Sequence, residues 1–287
     1  MFRVAYVNGR YVPRNHAAIA VEDRGFQFAD GVYEVCEVRG GRLVDERRHM
    51  ARLGRSLNEL RIPRPMSPAA LSVVLRETVR RNRVRDGIVY LQVTRGVARR
   101  DFPFPPEGTK PSLVVTARNI DTERLGKLAV EGIAVVTVPD IRWKRVDIKT
   151  VALLPNVLAK QIASEKGARE AWLVDAQGYV TEGASSNAWI VSREGTLITH
   201  PLGHDILSGV TRSVVIDAIR AQGILFEERS FTVEEACGAR EAFITSASQT
   251  VLPVVTINGR PVGNGSPGLI ATKLRQDYHR YAELSPE

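Results

Sequence analysis

Stretches that alternate apolar and polar residues are interleaved along this chain with stretches of helical spacing, and no strict βαβ rhythm joins them. That order points to an α+β protein rather than a doubly wound parallel sheet. At 287 residues the chain is long for a single core, so one large domain or two smaller ones are expected.

Tyr6–Val12 carries a hairpin signal, because Asn8-Gly9 supplies the positive φ angles of a tight turn. Gly31–Arg39 alternates and turns at Gly40-Gly41 into Arg42–Val44. Met50, Leu53, Leu57 and Leu60 recur at helical spacing over 46–60, and Ser67 with Pro68 opens a second helix. Gly87–Thr94 and Ser112–Ala117 read as strands, separated by a long loop over 96–111 rich in proline and charge. A polar stretch over 119–127 reads as a connector. A strand at 133–138 and an extended run through Lys149 follow, then a helix over 155–166. Strands at 170–174 and 187–191, a helix over 209–221 and a strand at 242–246 come next. Asn258-Gly259 marks another hairpin, and the last helix runs over 269–284. The expected division is a small N-terminal domain over 1–119, a connector over 120–127 and a large C-terminal domain over 128–287.

Composition narrows the class. Apolar residues at 44% and charged residues at 25% are ordinary for a globular chain. Two cysteines, Cys36 and Cys237, build no disulfide framework and suit a reduced, cytoplasmic protein. No run approaches the ~18 apolar residues of a membrane helix, and the first residues lack a leader's apolar stretch. The net charge of +8 is carried mostly by arginine. It fits either an arginine-rich surface or a field that attracts small anions such as phosphates and dicarboxylates. A nucleic-acid surface would centre on Arg76, Arg80, Arg81, Arg83 and Arg85, but this cluster lacks interleaved aromatics and any recognised binding motif. Zinc-type spacings, a P-loop and GxGxxG are also absent, so no metal site is expected.

Lysines are few, which makes each informative. Lys160 shares a helix face with Asn156 and Ser164 and reads as a solvated charge. Lys149 lies in Val146–Leu154, where alternation groups it with Val151 and Leu153. A lysine on an apolar face lowers its pKa, finds an anion or forms a covalent bond. Arg142 and Arg145 would lower that pKa further by repulsion, favouring the neutral amine that attacks carbonyls. The alternative is a lysine that snorkels outward or pairs with Asp147. Leu207-Ser208-Gly209-Val210-Thr211 precedes a helix whose first amides could bind phosphate, or is an ordinary helix start. Thr181–Asn187 is a polar turn whose Glu182 could meet a cationic ring nitrogen or simply face water. Arg52, two residues after Met50, reads as surface.

Taken together, these segments resemble one family. Asp23–Val35 is similar to the N-terminal signature of fold-type IV pyridoxal-phosphate enzymes. Asp147-Ile148-Lys149-Thr150 followed by Asn156–Gln161 resembles the cofactor-lysine region of D-amino-acid transaminases, and Val180–Asn187 and Gly209–Arg212 complete the pattern in order. The resemblance implies a two-domain fold-type IV architecture and pyridoxal 5'-phosphate as cofactor. Lys149 would be the Schiff-base lysine and proton shuttle, and Glu182 the partner of the pyridine nitrogen. Arg52, the amides of Val210 and Thr211, the Thr211 hydroxyl and the Ser246-Ala247 turn would hold the phosphate, with Leu207 against the ring. Ala247 stands where the family usually has threonine.

The resemblance also separates substrate classes. Branched-chain aminotransferases of this fold carry glycine and tyrosine where this chain has Val35 and Leu154. D-amino-acid types grip the substrate carboxylate with a tyrosine and an Arg-x-His pair from the partner subunit's loop. Here Tyr33 and Arg100 match and Phe102 replaces the histidine. The implied reaction is transamination between D-amino acids and 2-oxo acids, 2-oxoglutarate among them, by a homodimer. An (R)-selective amine transaminase, an aminodeoxychorismate lyase and a branched-chain aminotransferase share the scaffold as alternatives.

Overall fold

A computed structural model describes residues 3–286, and the chain separates into two compact units. The first takes in the described residues up to Asp121, the segment Ile148–Ala152 and those after Ala282; the second takes in Thr122–Asp147 and Leu153–Ala282. The lysine-bearing segment is thus counted with the first unit although the chain has already entered the second.

The first unit is built on β1 (Val4–Val7), β2 (Arg10–Pro13), β3 (Gly31–Arg39), β4 (Arg42–Leu43), β5 (Gly87–Thr94) and β6 (Ser112–Asn119). They pair antiparallel in the order β2-β1-β6-β5-β3-β4. Asn8 and Gly9 take φ of 44° and 96°, the geometry that lets a two-residue turn follow the strand twist. Three helices accompany the sheet: α1 (Arg24–Phe28), α2 (Glu46–Glu59) and α3 (Pro68–Arg81). The Ser67 hydroxyl accepts from the Ala70 amide at 3.2 Å, as the Ser-Pro signal predicts. Leu53 and Leu57 of α2 and Leu71 and Leu75 of α3 close the core over Val89, Leu91 and Val115.

The second unit begins with α4 (Thr122–Glu131) and β7 (Ile133–Pro139). Then come α5 (Leu154–Glu165), β8 (Glu170–Val174), β9 (Val180–Gly183), β10 (Asn187–Val191), β11 (Leu197–Thr199), α6 (Val210–Ala221), β12 (Phe226–Glu228) and α7 (Val233–Gly238). It ends with β13 (Glu241–Ser246), β14 (Thr250–Ile257), β15 (Arg260–Pro261) and α8 (Leu269–Tyr281). The strands run β12-β11-β10-β13-β14-β7-β8-β9, with β15 on β14. The sheet is mixed, because β7 lies parallel to both β14 and β8, and α5 makes the crossover from β7 to β8. Trp172, Phe231, Ile190 and Ile244 fill one core, and Ala159 and Ala163 of α5 fill a second with Val136 and Leu173.

Within the polar stretch over 119–127, α4 starts at Thr122, and its Leu128 and Ala129 pack on the core. Two expectations are corrected. The last helix stops at Tyr281 rather than at 284, where the extended Ala282 ends it and Leu284 bridges to Val44. Glu182 sits in a strand, not in a turn.

Candidate active site

On β3 the period of two puts Val32, Glu34, Cys36 and Val38 in the core and leaves Tyr33, Val35 and Glu37 half-buried. A carboxylate at a core phase needs a cation. Glu34 finds Arg52, whose Nε and Nη2 donate at 2.8 Å each, and His49, whose Nδ1 lies 2.8 Å away. Burial pushes the Glu34 carboxyl up, but the Arg52 charge and the bonds from Arg52 and His49 outweigh it and hold the carboxyl well below its ordinary range. Arg52, read from α2 alone as a surface residue, is in fact 9% exposed at its side chain. The acid at position 34 is the signal that could have placed it inside.

The segment Ile148–Ala152 runs beside β3. The Tyr33 amide donates to the Lys149 carbonyl at 3.0 Å and the Val151 amide to the Gly31 carbonyl at 3.1 Å. Ile148 and Thr150 point into the core, so Lys149 and Val151 occupy the half-buried side. Lys149 thus shares a side with Val151, as the alternation expected, and that side is half-buried rather than core. Its ammonium lies 4.2 Å from the centre of the Tyr33 ring, and its amide donates to Ser56 Oγ at 3.2 Å. The Tyr33 ring lies 5.7 Å from that of Tyr90, whose hydroxyl donates to Gln92 Oε1 at 2.7 Å. Burial, with help from Tyr33, pushes the Tyr90 phenol up to about 12. Tyr90 and Gln92 were missed, although β5 pairs Tyr33 with Gln92 and Val35 with Tyr90.

Arg100 and Phe102 stand on a loop whose backbone is fastened. Buried Arg24 donates to the Asp101 carbonyl at 2.6 Å and the Phe102 carbonyl at 3.3 Å, while its Nε pairs with Asp30 at 2.8 Å. The Arg100 guanidinium lies 5.0 Å from the Phe28 ring centre, and Phe28 and Phe102 are 5.6 Å apart. Phe102 remains 81% exposed.

In the second unit Glu182 is buried beside Arg142, whose Nη1 donates to its Oε1. Its Oε2 accepts from Asn187 Nδ2 at 2.9 Å and from the Leu207 amide at 3.2 Å. Arg142 also binds Asp140 at 2.7 Å, and Asp140 accepts from Thr181 Oγ1 at 2.8 Å. Burial pulls the Arg142 guanidinium down, and the bonds to Asp140 and the charge of Glu182 more than reverse this. The same pairing lowers the Asp140 carboxyl against the upward push of burial. Arg142 and Arg145 are thus not uncompensated charges, since Arg145 pairs with Asp147 at 3.0 Å. Each of the two arginines expected to repel Lys149 has an acidic partner of its own. Lys160 is likewise not a merely solvated charge, because it donates to the Arg169 carbonyl at 2.7 Å and to the buried Glu170 at 3.2 Å.

Helix α6 opens at Gly209 with no side-chain cap, which leaves its first amides without that satisfaction. A Cβ on Gly209 would lie 2.0 Å from Asn187 Oδ1, so glycine is what lets the chain pass here. Val210 and Thr211 are buried at this start. The turn 247–249 joins β13 to β14 and carries Ala247, with Ser246 at its near end. Ser246 Oγ is buried and has no hydrogen-bond partner. An open helix start and an orphaned hydroxyl are the donor set that a phosphate ester satisfies.

The class IV amino-transferase family matches residues 31–257. The chain belongs to that family. It is an aminotransferase by that membership, and the full-length relatives agree. It is 42% identical over 268 residues to the D-alanine aminotransferase of Bacillus licheniformis, covering 93% of each chain. To that of Staphylococcus haemolyticus it is 38% identical over 279 residues, 97% of each. Among solved structures it is similar to a branched-chain aminotransferase from the archaeon Thermoproteus uzoniensis, with 27% identity, a TM-score of 0.86 and 99% of each chain covered. Of the basic cluster, Arg80 and Arg81 both pair with Glu77, and Arg76 pairs with Glu46. Among the described residues no helix is long and apolar enough to cross a membrane, and no cluster of potential ligands suits a metal ion.

Proposed function

We propose that this chain exchanges amino groups between D-amino acids and 2-oxo acids, 2-oxoglutarate among them, using pyridoxal phosphate held through Lys149. The observation that carries the reading is Lys149, placed against the Tyr33 ring on the half-buried side of β3, in a chain whose full-length relatives are named D-alanine aminotransferases. The fit to the cofactor rests on the orphaned Ser246 hydroxyl and the open start of α6. Arg52, Val210, Thr211, Ser246 and Ala247 would hold its phosphate, Leu207 would flank its ring and Glu182 would meet its ring nitrogen.

When bound, the cofactor supplies an electron sink for the pair released as the substrate Cα–H bond breaks. Once the substrate amine has displaced it, the Lys149 amine would take and hold that proton, so it must be neutral at that step. The Tyr33 ring, its centre 4.2 Å from the amine, would help to orient it. Arg142, Asn187 and the Leu207 amide keep the Glu182 carboxylate in one orientation. Arg100 would take the α-carboxylate with Tyr33 beside it, and Phe102 would line the pocket with an apolar ring.

A homodimer in which each loop over 97–103 serves the neighbouring site is part of the proposal. Phe102 projects on that loop, and α5 leaves Leu154, Val157, Leu158 and Ile162 exposed along one stripe, as a covered surface would. The buried thiols of Cys36 and Cys237, neither in a disulfide, favour a reducing, cytoplasmic setting.

An amino-donor screen against 2-oxoglutarate tests the reading, with both enantiomers of alanine, branched-chain amino acids and (R)-1-phenylethylamine as donors. D-alanine is expected to react fastest, with slow turnover of the amine. Preference for the L-branched-chain donors would overturn the substrate class while leaving the family intact.

A further inference from the structure

The turn between β13 and β14 is held in an unusual shape. Thr250, which closes it, has φ of 56°, a left-handed conformation that glycine or asparagine adopts easily and a β-branched residue does not. Such strain persists only where surrounding contacts enforce it. Here the enforcing group is identifiable. Arg275, from α8, donates through Nη1 to the Gln249 carbonyl at 2.7 Å, to Thr250 Oγ1 at 2.9 Å and to the Val251 carbonyl at 2.6 Å. Thr250 Oγ1 itself donates to the Gln249 carbonyl at 2.7 Å. One guanidinium thus draws three successive residues around itself at the exit of the turn.

The same turn leaves buried polar atoms unsatisfied at both ends. Ser246 Oγ at its entry and Gln249 Oε1 at its exit are both buried with no hydrogen-bond partner. Buried polar atoms are rarely left so without a use. The strain at the exit and these two atoms together are not explained by the turn's own stability.

We infer that Arg275 is a positioning residue for the cofactor phosphate: it locks the 246–250 turn in the strained form that presents the Ser246 hydroxyl and the Ala247 amide to the phosphate ester. This rests on the reading that the turn contacts that phosphate. Arg275 itself touches no reacting group in this account. It acts through Thr250, and the strain at φ 56° is what its three bonds sustain.

The full-length chain, stripped of cofactor, is titrated with pyridoxal phosphate and separately with pyridoxal, which lacks the phosphate. Wild type is expected to prefer the phosphate ester strongly. Arg275→Met should weaken pyridoxal phosphate by about tenfold, the usual effect of losing charge-assisted contacts, and leave pyridoxal unchanged. Arg275→Lys should recover part of the loss. In a Thr250→Gly background, where the left-handed turn needs no clamp, Arg275→Met should cost about twofold or less. Equal weakening of pyridoxal and its phosphate by Arg275→Met would overturn the inference. So would an Arg275→Met loss of the same size with and without Thr250→Gly. A wild-type chain that binds pyridoxal as tightly as its phosphate would instead sink the phosphate reading. Discrimination that is abolished by Thr211→Val and Arg52→Ala but survives Arg275→Met would sink the role of Arg275 alone.

Discussion

Glu34 with Arg52 in the first unit and Glu182 with Arg142 in the second are both carboxylates buried against an arginine, and the two pairs are arranged differently. In the first unit Glu34 is wholly buried and Arg52 nearly so. In the second, Arg142 and Glu182 are 5% and 6% exposed. A buried ion pair contributes little net stability, because desolvation offsets most of the attraction, so its presence calls for a working group. Around Glu34 the bonds fix a cation: Arg52 is gripped through two nitrogens and His49 braces the carboxylate from the side. Around Glu182 the bonds fix an anion, with Arg142, Asn187 and the Leu207 amide all converging on its oxygens. On the proposed function, the first pair would position an arginine for phosphate and the second a carboxylate for a ring nitrogen.

The comparison breaks most readily at Glu34. Removing it strands a buried guanidinium, and Glu34→Ala should cost about 3–5 kcal/mol in denaturant unfolding. The double variant Glu34→Leu with Arg52→Met should regain most of that stability and still fail to retain cofactor. If it keeps cofactor at wild-type affinity, Arg52 is a structural arginine and the contrast collapses. In the second unit, Glu182→Gln keeps the shape and removes the charge. Turnover should fall by roughly a hundredfold or more, about 2.7–4 kcal/mol, with a much smaller change in cofactor affinity. Turnover equal to wild type would show that Glu182 does not set the charge on the ring.

A subtler test is Arg52→Lys, which keeps the charge and loses the two-nitrogen grip on Glu34. Cofactor affinity should drop by about tenfold, or 1.4 kcal/mol, in equilibrium titration. Acid gives the smallest and most specific signal. The Glu34 carboxyl is held below its ordinary value of 4.5, so its contribution to stability is complete above that pH and is lost as pH falls beneath it. Wild type should therefore lose stability by up to ~1.4 kcal/mol per pH unit more than Glu34→Gln between about pH 4.5 and pH 2. Parallel curves for the two proteins would mean that Glu34 does not titrate with folding.

Much of this was legible from the residues. The alternation of Gly31–Arg39, the Ser-Pro start of α3 and the Asn-Gly turns specify their elements locally, and the structure has them within a residue or two. The site was less legible wherever a partner distant in sequence decides the environment. Arg52 looks solvent-facing on its own helix, and only a carboxylate 18 positions earlier on a core phase of β3 brings it inside. The alternation of Val146–Leu154 grouped Lys149 with Val151, and the structure keeps them on one side, but that side is half-buried while the buried phase belongs to Ile148 and Thr150. The left-handed Thr250 has no signal in the sequence at all, since a β-branched residue argues against that conformation.

The loop bearing Phe102 separates two properties that proteins usually couple. Its backbone is tied down by Arg24 through the carbonyls of Asp101 and Phe102, while the Phe102 side chain is 81% exposed and meets the Phe28 ring. Neither anchoring bond depends on what residue 102 is. If Phe102 lines the pocket as proposed, exchanges at this one position would retune which donors are accepted at little cost to folding, as surface substitutions generally allow. For laboratory evolution it is a dial set outside the machine: a library at residue 102 should yield folded catalysts almost throughout, with their diversity expressed in substrate range.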